Sequence, residues 1–158
     1  MTTLVSVIVP AFNEEATVER AYRSIVEVFE DLPGYALELI FMDNHSTDAT
    51  FPILRAIAAT DPRVRVVRLS RNNGYQRSLL LGYQRARGAC AVQIDCDLQD
   101  PPGLIPEMLA LWRQGHQVVY GIRPSLPDGL VTAQPPRVSY AATRALGDPG
   151  ESILGRNA

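Results

Sequence analysis

The sequence contains no lysine: all 15 basic residues are arginine, set against 17 aspartates and glutamates, for a formal net charge of −2. That balance offers no basic surface for nucleic acid, so any phosphate the protein binds must be held locally. Cysteine and histidine are scarce too, two of each. Cys90 and Cys96 have no partners at metal-ligand spacing, which argues against a zinc site or a disulfide framework. No run approaches the roughly 18 apolar residues of a membrane span, and the N-terminus lacks the basic-then-apolar pattern of a signal peptide. The expectation is a cytoplasmic protein with reduced, packed thiols. At 158 residues, 46% hydrophobic and 20% charged, the chain is sized for one core.

What the sequence does have is regular alternation. Residues 4–9 form a β-branched run that stops at Pro10, the mark of a buried strand ending in a loop. A helix should follow, with Asn13 as N-cap and Glu14 and Glu15 suited to the positive end of its dipole. Val18, Tyr22, Ile25, Phe29 and Leu32 recur at helical spacing, and Pro33-Gly34 close the helix. The unit then repeats, with strands expected at 37–42, 64–69, 91–95 and 118–120 and helices at about 46–59, 75–87 and 104–115. Arg77, Arg85 and Arg87 read as a solvated face of the third helix. Strands and helices alternating across short loops make the class α/β, with a mostly parallel sheet covered by helices on both faces. Residues 1–123 carry this pattern. Residues 124–158, with five prolines and four glycines and no sustained period, read as a Pro/Gly-rich tail.

In open parallel sheets ligands bind beyond the carboxyl ends of the strands, so the loops there carry the functional reading. Three are polar in an uncommon way: residues 10–15 (Pro-Ala-Phe-Asn-Glu-Glu), 43–48 (Asp-Asn-His-Ser-Thr-Asp) and 95–102 (Asp-Cys-Asp-Leu-Gln-Asp-Pro-Pro). In the last, Asp95, Asp97 and Gln99 alternate past an apolar strand, and three such oxygens suit a hard cation that keeps positions for water and substrate phosphate. The same acids could instead cap the next helix or form a turn before Pro101-Pro102. Asp48 reads as a capping residue and His45 as a loop residue. Arg71-Asn72-Asn73-Gly74 is either a surface turn or a set of guanidinium and amide donors facing a ligand.

These four ordered motifs together resemble family 2 glycosyltransferases over about residues 4–123. The Leu-Gln-Asp-Pro-Pro extension resembles the branch that loads sugars onto polyprenyl or dolichol phosphate. The resemblance implies a Rossmann-like GT-A sheet that binds a UDP- or GDP-sugar, with Mg²⁺ or Mn²⁺ as cofactor. It implies that Pro10, Phe12, Asn13 and Glu14 line the nucleoside pocket and that Asp43 contacts the base. Arg71, Asn72 and Gly74 would lie along the nucleotide, and Asp95, Asp97 and Gln99 would form the metal shell. It also implies a catalytic part for Asp95 and Asp97, and places Arg123, after Gly121-Ile122 at the same sheet edge, near a phosphate. Asn44-His45 departs from the commoner Asp-Gly of this loop, which removes one acidic contact. The acceptor implied is a lipid phosphate at the inner face of the membrane, contacted peripherally or through segments absent from the sequence, with a homo-oligomer left open. The change of character at Pro124 suggests a GT-A half that is incomplete at its C-terminus, the product of a truncated or frameshifted gene. Two rival readings are a nucleotide-sugar-binding remnant without turnover and a sugar nucleotidyltransferase, although residues 10–15 lack the latter's Gly-rich triphosphate loop. A dinucleotide oxidoreductase is set aside for want of Gly-x-Gly-x-x-Gly after the first strand.

Overall fold

The computed structural model describes residues 1–122 and 139–143. Contacts divide the chain into two compact units, Met1–Pro106 and Glu107–Ala158. The first unit is built on four parallel strands, β1 (Thr3–Ala11), β2 (Tyr35–Asp43), β3 (Val64–Arg68) and β4 (Cys90–Gln93), in the order β3-β2-β1-β4. β1 and β2 pair in register from Thr3↔Tyr35 to Ala11↔Asp43, so both strands end at the same level. Their interior residues are buried almost without interruption, as a sheet covered on both faces requires.

The strand order dictates where the helices lie. The chain steps from β1 to β2 to β3 in one direction through α1 (Val18–Glu30) and α2 (Thr50–Thr60), then reverses past β2 and β1 to reach β4 through α3 (Tyr75–Tyr83). Right-handed crossovers in opposite directions put their helices on opposite faces. α1 accordingly packs on α2, while α3 packs on β1 and β2. α1 buries Val18, Ala21, Ile25, Val26 and Phe29, the apolar stripe expected of a sheet-covering helix. On the other face Ile8, Ile40, Met42 and Leu69 enclose Leu79 of α3. The approach is close because of Gly82: a Cβ there would lie 2.6 Å from Ile8 Cγ2 and 3.2 Å from Met42 Cγ.

A buried polar cluster ties three strands to the turn before β4. Glu38 accepts hydrogen bonds from Ser6 Oγ (2.6 Å), Arg65 Nη1 (2.6 Å) and the Arg87 amide (2.9 Å), and the Gly88 amide donates to Ser6 Oγ (2.9 Å). Burial works to raise the Glu38 carboxyl, but these hydrogen bonds outweigh it and hold the group below the usual range. Arg85 and Arg87 therefore fall beyond the end of α3, not along a helical face, and the Arg87 backbone is part of the cluster.

Three sequence expectations need correction. α1 starts at Val18 after Thr17, because Asn13 and Glu14 are consumed in the preceding loop; Asn13 adopts φ 56° and caps nothing in α1. β5 (Val118–Ile122) does not extend the parallel sheet: it pairs antiparallel with β6 (Ser139–Thr143) in a separate two-stranded sheet. β6 lies inside the segment read as an aperiodic tail. A 3-10 turn (Pro102–Leu104) leads into the fourth helix, α4 (Ile105–Arg113), close to the expected 104–115. Among the described residues, no helix is long and apolar enough to cross a membrane.

Candidate functional site

The strand order β3-β2-β1-β4 reverses between β1 and β4, the place where open parallel sheets bind ligands. A cleft of about 340 Å³ lies at the carboxyl ends of these strands. Pro10, Ala11, Phe12 and Glu14 line it after β1, Asn44 after β2, Asn72, Gly74, Tyr75 and Ser78 after β3, and Asp95, Cys96 and Asp97 after β4.

The walls are held by loop-to-loop hydrogen bonds. Asn13 donates its amide to Ser46 Oγ (3.0 Å) and accepts from the Thr47 amide at Oδ1 (2.9 Å). The Glu14 amide donates to Thr50 Oγ1 (2.7 Å), and the Ala49 amide donates to Glu15 Oε2 (2.8 Å). Asp48 accepts from the Thr50 and Glu15 amides, so it caps α2 and joins the two loops at once. Asn44 reaches the third loop, donating Nδ2 to Asn72 Oδ1 (2.9 Å) and accepting from the Asn73 amide (3.0 Å). Asn72 Oδ1 also accepts from the Gly74 amide, and Gly74 takes φ 81°, a backbone that glycine adopts at least cost. Three loops thus form one braced wall.

At the β4 side, Tyr75 donates its hydroxyl to Asp95 Oδ1 (2.6 Å) while Gln93 Nε2 donates to the Tyr75 oxygen. The Tyr75 phenol is pushed well above its usual value, by burial first and then by the Asp95 carboxylate, so it remains a donor. Asp97 Oδ1 accepts from the Gln99 amide (3.0 Å) in a tight turn, with Leu98 at φ 59°. Cys96 stands between the two acids but is only 3% exposed, and burial pushes its thiol up to about 12. Its soft sulfur suits a hard cation less well than the carboxylates on either side.

Of the residues singled out in the sequence, Pro10, Phe12, Glu14, Asn72, Gly74, Asp95 and Asp97 meet in the cleft. Asn13 braces the wall from behind, and Arg71 is exposed and turned to Asn73. Asp43 is fully buried, its Oδ1 taken by the Ser46 amide and its Oδ2 3.3 Å from Arg68 Nε; it shapes the second loop without lining the cleft. Gln99 supplies its amide to the Asp97 turn and is not among the cleft-lining residues, so the expected three-oxygen set of Asp95, Asp97 and Gln99 is not assembled there. Arg123 lies outside the described residues. Sequence reasoning missed Asn44, Tyr75, Ser78 and Cys96. The only available signal for Tyr75 and Ser78 was their place in the first turn of the helix that leaves the third loop.

No group of three His, Cys, Asp or Glu side chains suited to a metal occurs among the described residues. The chemistry of the cleft still fits a hard divalent cation. Of its three lining acids, Glu14, Asp95 and Asp97, the two aspartates are each held through Oδ1 by the protein, and Mg²⁺-type sites commonly use one or two carboxylates with substrate phosphate and water.

A parallel α/β sheet with carboxylates in the cleft at its strand ends defines the class of architecture, and comparison with known proteins narrows it. The family model for glycosyl transferase family 2 matches residues 6–152. A prophage bactoprenol glucosyl transferase homolog of Escherichia coli (strain K12) is 38% identical over 75% of this chain and 39% of its own length. The undecaprenyl-phosphate 4-deoxy-4-formamido-L-arabinose transferase of Pseudomonas paraeruginosa is 36% identical over 91% of this chain and 43% of its own. Among solved structures, glucosyl-3-phosphoglycerate synthase from Mycobacterium tuberculosis, in complex with Mn²⁺, UDP and glucosyl-3-phosphoglycerate, superposes with a TM-score of 0.55. It is 33% identical, over 70% of this chain and 39% of that one. The chain belongs to glycosyl transferase family 2 and has the GT-A type of α/β fold. It spans about two-fifths of the length of these relatives.

Proposed function

We propose that the chain binds a nucleotide-sugar donor in this cleft and serves transfer of the sugar to a polyprenyl phosphate, with inversion at the anomeric carbon. The observation that carries the reading is the meeting of Asp95 and Asp97 with the braced loops after β1, β2 and β3 at the switch point. Relatives named for bactoprenol and undecaprenyl phosphate support the acceptor, and the Mn²⁺ and UDP of the mycobacterial enzyme support the donor.

Asp95 and Asp97 would hold Mg²⁺ or Mn²⁺ together with the donor's diphosphate oxygens. When bound, the cation offsets the negative charge that develops on the departing nucleoside diphosphate. Tyr75 fixes the orientation of Asp95, and the turn at Leu98 fixes that of Asp97, so both carboxylates are set before the donor arrives. Phe12, 43% exposed, offers a ring face at the cleft mouth, and Pro10, Ala11 and Asn44 form the floor beside it. A phosphate monoester, with a second pKa of about 6, is largely dianionic at neutral pH and needs no side-chain base to attack. Glu14, Asp95 and Asp97 are the acids that line the cleft.

Calorimetry with UDP- and GDP-sugars, in Mn²⁺ and in chelator, tests the donor reading. Binding that needs Mn²⁺ and is lost in Asp97→Ala is expected. A folded chain that binds no nucleotide under either condition would sink it. Transfer of labelled sugar from the bound donor to undecaprenyl phosphate then tests the acceptor.

A further inference from the structure

The cleft contains a polar group that the protein leaves unsatisfied. Ser78 is fully buried, its Oγ has no hydrogen-bond partner, and the residue lines the cleft. Among the described residues one other buried side-chain atom is in that state, Asp43 Oδ2, and it has Arg68 Nε 3.3 Å away. Native proteins pair nearly all buried hydroxyls, so an orphan on a cleft-lining residue marks the place of a ligand atom. The N-terminus of α3 points the same way: Gly74 precedes it and no side chain caps it.

The packing of α3 says which part of a ligand that atom belongs to. Gly82, one turn further along the same face, lies against Ile8 of β1 and Met42 of β2. Four residues of helix rise about 6 Å, and two residues of strand about the same. Ser78 therefore stands over Pro10 and Asn44, two residues beyond Ile8 and Met42, and both line the cleft. This is the β1–β2 side, whereas Asp95 and Asp97 belong to β4 on the other side of β1. With the diphosphate at the carboxylates, the nucleoside occupies the end where Ser78 lies.

We infer that the Ser78 hydroxyl hydrogen-bonds the polar edge of the donor's nucleobase; this rests on the donor-site reading above. A hydroxyl both donates and accepts, so it meets either a carbonyl or an imino group of a uracil or guanine edge. Losing that one bond weakens binding about fivefold, whichever phosphates the nucleotide carries.

The test is calorimetric titration of the full chain and of Ser78→Ala with UMP, GMP, UDP and GDP, each in Mn²⁺ and in chelator. Expected is a loss of about fivefold for the base that binds, equal for mono- and diphosphate and independent of Mn²⁺. The melting temperature of the unliganded variant should not fall, because the substitution removes an unsatisfied buried group. Ser78→Cys, close in shape but a poor hydrogen-bonding group, should show the same loss. Unchanged affinity in Ser78→Ala overturns the role of Ser78 while leaving the donor site intact. A loss confined to the diphosphates in Mn²⁺ overturns the assignment to the base. Absence of binding by the wild-type chain overturns the donor reading and this inference with it.

Discussion

Substituting Gly82 by alanine sets a local preference against a tertiary one. In the middle of a helix alanine is favoured over glycine by about 1 kcal/mol. Here, however, the added Cβ would sit 2.6 Å from Ile8 Cγ2 and 3.2 Å from Met42 Cγ. Ordinary carbon–carbon contact is about 3.5–4.0 Å, so something must move by about 1 Å. Ile8 and Met42 are both fully buried, and Ile8 is β-branched and stiff at χ1, so neither side chain swings away cheaply. Overpacking of this kind costs about 1–3 kcal/mol. After the propensity gain, a net loss of up to about 2 kcal/mol is expected, a fall of up to roughly 6 °C in Tm for a chain of this size. The displaced helix carries Gly74, Tyr75 and Ser78, so nucleotide affinity should fall as well. Urea denaturation followed by circular dichroism measures the stability, with Gly103→Ala as control, since a Cβ there meets nothing within 4 Å. A Gly82→Ala variant as stable as the wild type, or more so, would show that the sheet yields and would refute the close-packing argument.

Gly88→Ala should be worse, because its Cβ would meet the backbone atoms Ser6 N, Cys90 O and Leu4 O at 2.6–2.9 Å, none of which can rotate away; a soluble variant with wild-type Tm would contradict this. Asp61 is held down at about 2, chiefly by the hydrogen bonds from Arg63 and helped by Tyr22. Its folded value lies below its unfolded one, so its contribution is present above about pH 4 and is lost as pH falls toward 2. With the half-exposed Arg63 discounted for solvent, that contribution is about 1–2 kcal/mol, and Asp61→Asn should flatten the acid limb of the stability profile by that amount. Cys96, buried with its thiol pushed up to about 12, should resist a disulfide reagent at pH 8 in the folded chain and react in denaturant. Equal, rapid reaction of both cysteines in native buffer would refute its placement.

The core strands were legible because a strand buried on both faces is a nearly unbroken apolar run, and residues 4–9 and 37–42 are such runs, interrupted only by Ser6 and Glu38. The cleft was half legible: Pro10, Phe12, Glu14, Asn72, Gly74, Asp95 and Asp97 follow strands, and loops at strand ends meet wherever strands are parallel. Asn13 misled because a cap and a cross-loop brace use the same side-chain amide, and only the position of the second loop decides between them. Asp43 is taken up by the turn it forms with Ser46 and by Arg68, which only the folded loop could show.

The sequence by itself determined the class of fold, the order of its strands and helices, and the loops at which chemistry collects, since these depend on local periodicity and on the chirality of the crossover. Only the tertiary structure decided that α3 brings Tyr75 to Asp95 and Ser78 to the floor of the cleft. It also decided that β5 pairs with β6, because the choice of a partner strand depends on backbone groups that every residue carries alike.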